Sequence, residues 1–363
     1  MVEVPSITRS PVIRQTTFGL AVGVAGGGAF ALAGLPLPWM LGSMVATMLA
    51  SLAGLRFGVP AAIRKPMIAI VGVLLGSSFT LDRLEAAIPW LPSLLALPLY
   101  VVAVGALIYA YLLRFGGFER RSAFFAATPG GLSEMIVLSD TFGADPRTVA
   151  LVHGTRLSCI VLVIPLLADL IWTVDRSSGL APVSIAPDEV LILSLAGGLG
   201  YALGVRLRLP AGAFVGPLIG SALVHVMGWA ESAPPPALVS AAQVVIGTSV
   251  GARFVGVPLA AIRRAMLLGA GATAIMFVIT LAFALVLAPL TGHPLILLLL
   301  AYIPGGFTEM SLIAFGLGVD PAFVISHHGF RVFLVVSIAL PLYIWLDRRG
   351  WFGLPAGDSQ AGD

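Results

Sequence analysis

Apolar residues run through this chain in blocks of roughly 20, the length an α-helix needs to cross a bilayer. Polar residues are confined to the gaps. Ten uninterrupted blocks lie near 16–35, 37–55, 64–81, 90–114 and 147–173, and again near 189–207, 211–229, 237–255, 264–289 and 322–346. Two more, near 122–143 and 296–318, are interrupted by Pro-Gly-Gly, which breaks a helix. The pattern predicts an all-α polytopic membrane protein. Composition agrees: 58 % of the 363 residues are hydrophobic and 10 % charged, against roughly 25 % charged in soluble domains. The first block is too long for a signal-peptide core and reads as a spanning helix.

The blocks fall into two copies. Pro129-Gly130-Gly131-Leu132-Ser133-Glu134-Met135 is followed by Asp145-Pro146, then His153 and Arg156. Pro304-Gly305-Gly306-Phe307-Thr308-Glu309-Met310 is followed by Asp320-Pro321, then His328 and Arg331. The offset is 175 residues at each landmark (129 to 304, 145 to 320, 156 to 331). Leu35-Pro36 with Gly42 recurs as Leu209-Pro210 with Gly216, and Gly72, Gly76 and Phe79 recur as Gly247, Gly251 and Phe254. A register held over this length means duplication. The expected division is a first membrane repeat at 1–175, a linker at 176–188, a second repeat at 189–350 and a disordered tail at 351–363.

Charge decides how the copies are oriented. The loop after the second helix carries Arg56, Arg64 and Lys65, but its counterpart carries only Glu231. The loop after the third carries Asp82, Arg83 and Glu85, and its counterpart Arg253, Arg263 and Arg264. Arg114, Arg120 and Arg121 face a counterpart holding only His293. Positive charge marks cytoplasmic loops, so equivalent loops are expected on opposite sides, as in an inverted repeat. Inversion needs an odd number of crossings per copy. Five spanning helices per copy result if each Pro-Gly-Gly block is a re-entrant hairpin or broken helix. Both termini are then cytoplasmic, with Arg9 and Arg14 at one end and Arg348 and Arg349 at the other, and the linker with Asp169, Asp175, Asp188 and Glu189 is outside. The alternative, twelve spans in two parallel copies, would put Arg253, Arg263 and Arg264 outside. No basic run is long enough for a nucleic-acid face despite the net charge of +3. Cys159 is the sole cysteine, which excludes an intrachain disulfide and a thiolate zinc cluster and leaves it a packing role.

The Pro-Gly-Gly blocks carry the candidate chemistry. Non-helical backbone inside a bilayer is tolerable only where it lines a protein cavity. Gly130, Gly131, Gly305 and Gly306 let backbone amides reach a bound group, and the half-helix leaving each tip adds its positive dipole end. A tight structural turn is the plainer alternative. Asp145 and Asp320 suit N-caps before Pro146 and Pro321. Arg156 and Arg331 lie 11 residues beyond the caps, about 16 Å deep at about 1.5 Å per residue. Each therefore needs an anionic partner or a wet cavity. Glu134 and Glu309 are the expected partners, either as a structural ion pair or as carriers of a coupling proton or Na⁺. His153 and His328, three residues before each arginine, are candidate proton relays or packing residues. Ser133 and Thr308 supply hydroxyls. The glycine rows at Gly23, Gly26, Gly27 and Gly28 and at Gly197, Gly198, Gly200 and Gly204 read as close helix packing. Trp39, Trp90, Trp172 and Trp345 fit an interfacial belt. His225 and His327 have no evident partner.

These residues resemble the AbrB duplication family of bacterial membrane proteins, most specifically in "ATPGGLSEM" and "IPGGFTEMSLIA", each followed by Asp-Pro and a His–Arg pair. The layout is similar to the cation–proton antiporter and anion symporter group, which implies paired inverted repeats around a transport site. The resemblance also brings two labels, a regulator of gene expression and an ammonia monooxygenase. The leading expectation is a secondary transporter of a small anionic solute coupled to H⁺ or Na⁺, not an enzyme. It would sit in the bacterial inner membrane without cofactor or metal, with homodimer formation left open. Substrate would meet Gly130, Gly131, Ser133, Arg156, Gly305, Gly306, Thr308 and Arg331. Coupling would fall to Glu134, Glu309, His153 and His328.

Overall fold

The structure, a computed structural model, describes residues 9–171, 185–256 and 259–352. Most of the linker, the tail beyond 352 and Trp172 lie outside the described residues. The first copy forms α1 (Arg9–Leu32), α2 (Pro38–Leu52), α3 (Ala61–Gly76), α4 (Leu81–Glu85), α5 (Leu91–Gly116), α6 (Arg120–Ala127), α7 (Leu132–Thr141) and α8 (Pro146–Ile171). The second forms α9 (Pro187–Arg206), α10 (Gly212–Val226), α11 (Pro236–Gly251), α12 (Leu259–Thr291), α13 (Leu295–Tyr302), α14 (Phe307–Gly316) and α15 (Pro321–Arg348). One long helix, α12, stands where the first copy has α4 and α5. No strand occurs among the described residues.

The chain is an all-α polytopic membrane protein. Seven segments among the described residues, built on α1, α5, α8, α9, α11, α12 and α15, are long and apolar enough to cross a bilayer. The blocks expected to span at 37–55, 64–81 and 211–229 yield shorter helices of 15, 16 and 15 residues. The backbone explains α2 and α10. Each starts only after a left-handed residue, Leu37 (φ 45°) or Ala211 (φ 50°), and the turn that follows contains Gly54 (φ 85°) or Gly228 (φ 70°). Fifteen residues reach about 22 Å, short of a hydrocarbon core of about 30 Å.

The helices sort into two compact units that do not coincide with the two copies. One unit holds α1–α3, α9–α11, α8 from Leu162 and residues Phe315–Gly318. In it α1 packs on α2 and α9 on α10, while α2 packs on α11 and α10 on α3. Small residues make these contacts possible. A Cβ at Gly26 would overlap the Gly42 carbonyl oxygen, and one at Gly200 the Gly216 carbonyl oxygen. Gly204 and Gly212 meet in the same way. Gly28 and Gly198, expected to pack too, face open space. Buried serines bridge the helices: Ser51 Oγ donates to the Gly251 carbonyl at 3.0 Å and Ser221 Oγ to the Val73 carbonyl at 2.7 Å.

The other unit holds α4–α7, α8 as far as Val161, α12 from Arg263, α13, α14 as far as Ala314, and α15. Here α5 and α15 pack together and carry two hairpins. The first hairpin is α6, a Thr128–Gly131 tip and α7. Its two ends meet at one level: the Asp145 N–H donates to Ser122 Oγ at 2.9 Å and Arg121 Nη1 to the Phe142 carbonyl at 3.3 Å. Arg121 also pairs with Asp347 at 3.2 Å, and Arg120 donates to the Trp351 carbonyl at 2.7 Å. This hairpin is therefore rooted at the C-terminal ends of α5 and α15. The second hairpin is α13, an Ile303–Gly306 tip and α14. His293, just before α13, packs edge-on against Phe323 in the first turn of α15 at 4.8 Å. His293 also donates from Nε2 to the Pro89 carbonyl just before α5. The second hairpin is rooted at the N-terminal ends of the same two helices. Limbs of 8 and 10 residues reach about 12–15 Å, half a hydrocarbon core.

Trp90 does not serve as an interfacial anchor. It is buried against Phe323 with ring centroids 5.6 Å apart. Trp345 is exposed and lies under the Arg349 guanidinium at 4.1 Å.

Candidate functional site

All residues of both Pro-Gly-Gly blocks, with His153, Arg156, His328 and Arg331, fall within the second unit. The caps set the register of the helices that carry the charges. Asp320 accepts the Ala322 N–H at 3.0 Å, and Asp145 accepts the Arg147 N–H at 3.0 Å together with the Thr148 hydroxyl. The Thr148 bond is the main reason the Asp145 carboxyl titrates below its ordinary value.

One helical turn of α8 and α15 then presents the same device twice. Arg156 Nη2 donates to His153 Nδ1 at 3.0 Å, and Arg331 Nη2 to His328 Nδ1 at 3.0 Å. Arginine only donates, so Nδ1 must accept and the ring proton sits on Nε2. Nε2–H of His153 donates to the Phe125 carbonyl at 2.9 Å, and that of His328 to the Leu300 carbonyl at 2.9 Å. Both carbonyls lie 28 residues before their histidine, on the ascending limb of the hairpin. Each histidine thus ties a helix to a hairpin and fixes one face of a guanidinium. A relay role would require one of these two bonds to open.

The arginines are deeply buried, Arg156 at 5 % exposure and Arg331 at 2 %. They lie within electrostatic range of each other and of Tyr100 from α5. Beyond the histidine contact they differ. Arg331 Nη1 donates to the carbonyls of Tyr302 and Ile303 at 3.4 and 3.1 Å, and Nη2 to Gly305 at 3.2 Å. It latches the second tip. Arg156 makes no corresponding bond to the first tip: its Nε and Nη1 are buried without a partner, whereas Arg331 lacks one only at Nε. Of the five N–H donors of a guanidinium, Arg156 therefore leaves three unmatched. An unmatched buried donor costs about 1–3 kcal/mol, more when charged.

The expected Glu–Arg pairing is not formed. Among the described residues no ion pair joins either arginine to Glu134 or Glu309. Each glutamate stands in the first turn of its half-helix and folds back over the tip. A Cβ at Gly131 would overlap Glu134 Oε2, and one at Gly306 would overlap Glu309 Oε2. The second glycine of each tip is needed to leave that space. Gly305 is closed in as well, by Met310 and Ile160. Thr308 is half-buried in the first turn of α14, and the Ser133 side chain lies outside the described residues.

Sequence reasoning missed the aromatic wall. Tyr100 hydrogen-bonds Thr280 at 2.7 Å, and its ring packs on Tyr302 at 5.1 Å, beside both arginines. A tyrosine in an apolar run gives no signal of this role. His327 finds partners in Ser93 Oγ and the Phe323 carbonyl, both at 2.8 Å. In the other unit His225 contacts the carbonyls of Ser221 and Ser232 at 2.7 and 3.1 Å.

The helices and the site define a class: a polytopic membrane protein with twin hairpins, each tied to a helix by the histidine of a buried His–Arg pair. The family model described as "Transition state regulatory protein AbrB" matches residues 39–347, and the chain belongs to that family. It is similar to YhjN of Bacillus subtilis (strain 168), 28 % identical over 89 % of this chain and 91 % of that protein. It is also similar to a protein of Escherichia coli (strain K12) named "Putative regulator AbrB", 25 % identical over 83 % of this chain and 88 % of that one.

Proposed function

We propose that this protein is a secondary transporter of a small anionic solute, coupled to H⁺ or Na⁺, in a bacterial inner membrane with both termini cytoplasmic. The observation that carries the reading is Arg156: a buried guanidinium with three unmatched donors, within electrostatic range of a second arginine and with no carboxylate paired to either among the described residues. The two tips add half-helix N-termini, which favour anions. Hairpins rooted at opposite ends of α5 and α15 are the arrangement that inverted repeats produce, and each tip would then be reached from a different side. Alternating access follows if one unit moves against the other. Substrate would meet Arg156, Arg331, Ser133, Thr308 and the tip amides of Gly130, Gly131, Gly305 and Gly306. Glu134 and Glu309 would bind and release the coupling ion, while His153 and His328 orient the guanidinium groups.

A thermal-shift screen of the purified protein against carboxylates, amino acids and inorganic anions, at two pH values with and without Na⁺, tests the reading. An anion that raises the melting temperature is the expected result, and a response to cations or neutral solutes alone contradicts it. With that anion in hand, Glu309→Gln should insert and bind normally but lose ion-driven uptake in proteoliposomes. Uptake at the wild-type rate would remove Glu309 from the coupling role.

A second reading, a membrane-embedded sensor, is favoured by the word regulatory in the family description and the word regulator in one relative's name. It would use the same anion site. Binding without flux in proteoliposomes would select it.

A further inference from the structure

A separate cavity of about 300 Å³ opens in the second unit between α5 and α15, and neither Arg156 nor Arg331 lines it. One stripe of α5 (Pro98, Gly105, Tyr109) and one of α15 (Leu334, Ile338, Leu342, Leu346) form its walls. Between them the first hairpin supplies Phe124, Ala127, Thr128 and Pro129. Its interior is almost wholly apolar. The Thr128 hydroxyl donates to the Phe124 carbonyl at 2.8 Å, and the Tyr109 hydroxyl accepts from Trp351 Nε1 at 3.2 Å, which leaves its own proton to donate. The interior therefore suits a hydrocarbon, with one hydroxyl donor at Tyr109.

Three features say which hydrocarbon. The groove runs from Leu346 to Leu334, about 18 Å at about 1.5 Å per residue, close to one leaflet of a hydrocarbon core of about 30 Å. Its mouth is rimmed by Tyr109 and Trp351, side chains suited to the headgroup level. Arg120 donates to the Trp351 carbonyl there, and Arg121, Arg147, Arg264, Arg348 and Arg349 stand at the same end, against Glu119, Asp140, Asp145 and Asp347. That balance complements a phosphate-bearing head. The floor is the hairpin tip itself: Pro129 lines it, and a Cβ at Gly130 would lie 2.9 Å from Val335 Cγ1, a residue of the same lining.

We propose that this groove holds one acyl chain of an anionic phospholipid, with the phosphate at the arginine-rich mouth and the chain end braced against the first hairpin tip. The lipid is then a structural partner of the hairpin that Arg156 leaves unlatched. The proposal does not depend on the transport reading.

The test uses the full chain purified in mild detergent and exchanged into mixed phosphatidylglycerol and phosphatidylethanolamine. Native mass spectrometry should find one phosphatidylglycerol per chain, and Ala106→Trp, which fills the groove, should lower its retention at least tenfold. Equal retention of both lipids, or retention unchanged in a folded Ala106→Trp, overturns the proposal. If that variant does not fold, Trp351 reports instead in the wild type. Phosphatidylglycerol brominated in its chains should quench the emission lost in Trp351→Phe more strongly than brominated phosphatidylethanolamine does. Equal quenching contradicts the assignment.

Discussion

Replacing Arg156 with alanine removes anion binding while leaving the ligand-free protein as stable as before. The guanidinium is buried and three of its donors are unmatched, so its removal orphans little besides His153 Nδ1. A ligand anion matched to those donors gains charge-assisted hydrogen bonds of about 1.5–3 kcal/mol each. Losing two of them weakens binding by roughly a hundredfold or more, at about 1.4 kcal/mol per factor of ten. Arg331→Ala should differ in its effect on stability. That residue donates to the carbonyls of Tyr302, Ile303 and Gly305, and its loss leaves those of Tyr302 and Gly305 without that donor, so the ligand-free melting temperature falls. The check is a pair of thermal-shift titrations with the anion found by screening. Equal loss of stability in both variants would mean that Arg156 is as structural as Arg331.

Gly216→Val prevents stable folding of the first unit. The Gly216 backbone touches Gly200, and a Cβ there would overlap the Gly200 carbonyl oxygen, with Gly204 Cα 3.1 Å away. Backbone cannot yield as a flexible side chain does, so α9 and α10 would have to separate along their length. Overpacking costs typically 1–3 kcal/mol, and two branched methyls against backbone belong at or above about 3 kcal/mol. Gly198→Ala, on the same helix but facing open space, is the control. It should be neutral or stabilising by up to about 1 kcal/mol through helix propensity. Fluorescence-detected gel filtration from detergent extracts separates these outcomes, and a monodisperse Gly216→Val at wild-type yield would contradict the packing described.

Much of this was legible in the sequence, for identifiable reasons. Periodicity and composition suffice for long apolar helices. The 175-residue register suffices for two copies, because shared spacing survives whatever the tertiary arrangement. The need of Arg156 and Arg331 for shelter was legible from their place inside apolar helices, and both are buried. The partner of each charge was not legible. Glu134 and Glu309 looked right by charge, but each folds back over the second glycine of its own tip. The real partners, the His153 and His328 rings and backbone carbonyls 28 residues away, carry no charge signal. The difference between Arg156 and Arg331 was also hidden, because the two blocks match in both His–Arg pairs. The regrouping of helices into two compact units depends on contacts such as Gly26 with Gly42 and Gly200 with Gly216, where glycine is visible in sequence but its neighbour is not. Gly28 and Gly198 lie in the same rows and touch nothing.

The account depends on two hairpins that reach one buried arginine pair from opposite faces of the membrane. Glu119 stands at the root of the first and His293 at the root of the second. In a Cys159→Ser background, single cysteines at 119 and 293 can be probed with a membrane-impermeant maleimide, in intact cells and in inverted vesicles. Position 293 should label from outside the cell and position 119 only from the cytoplasmic face. Labelling of both from one face would contradict the arrangement and the transport site built on it.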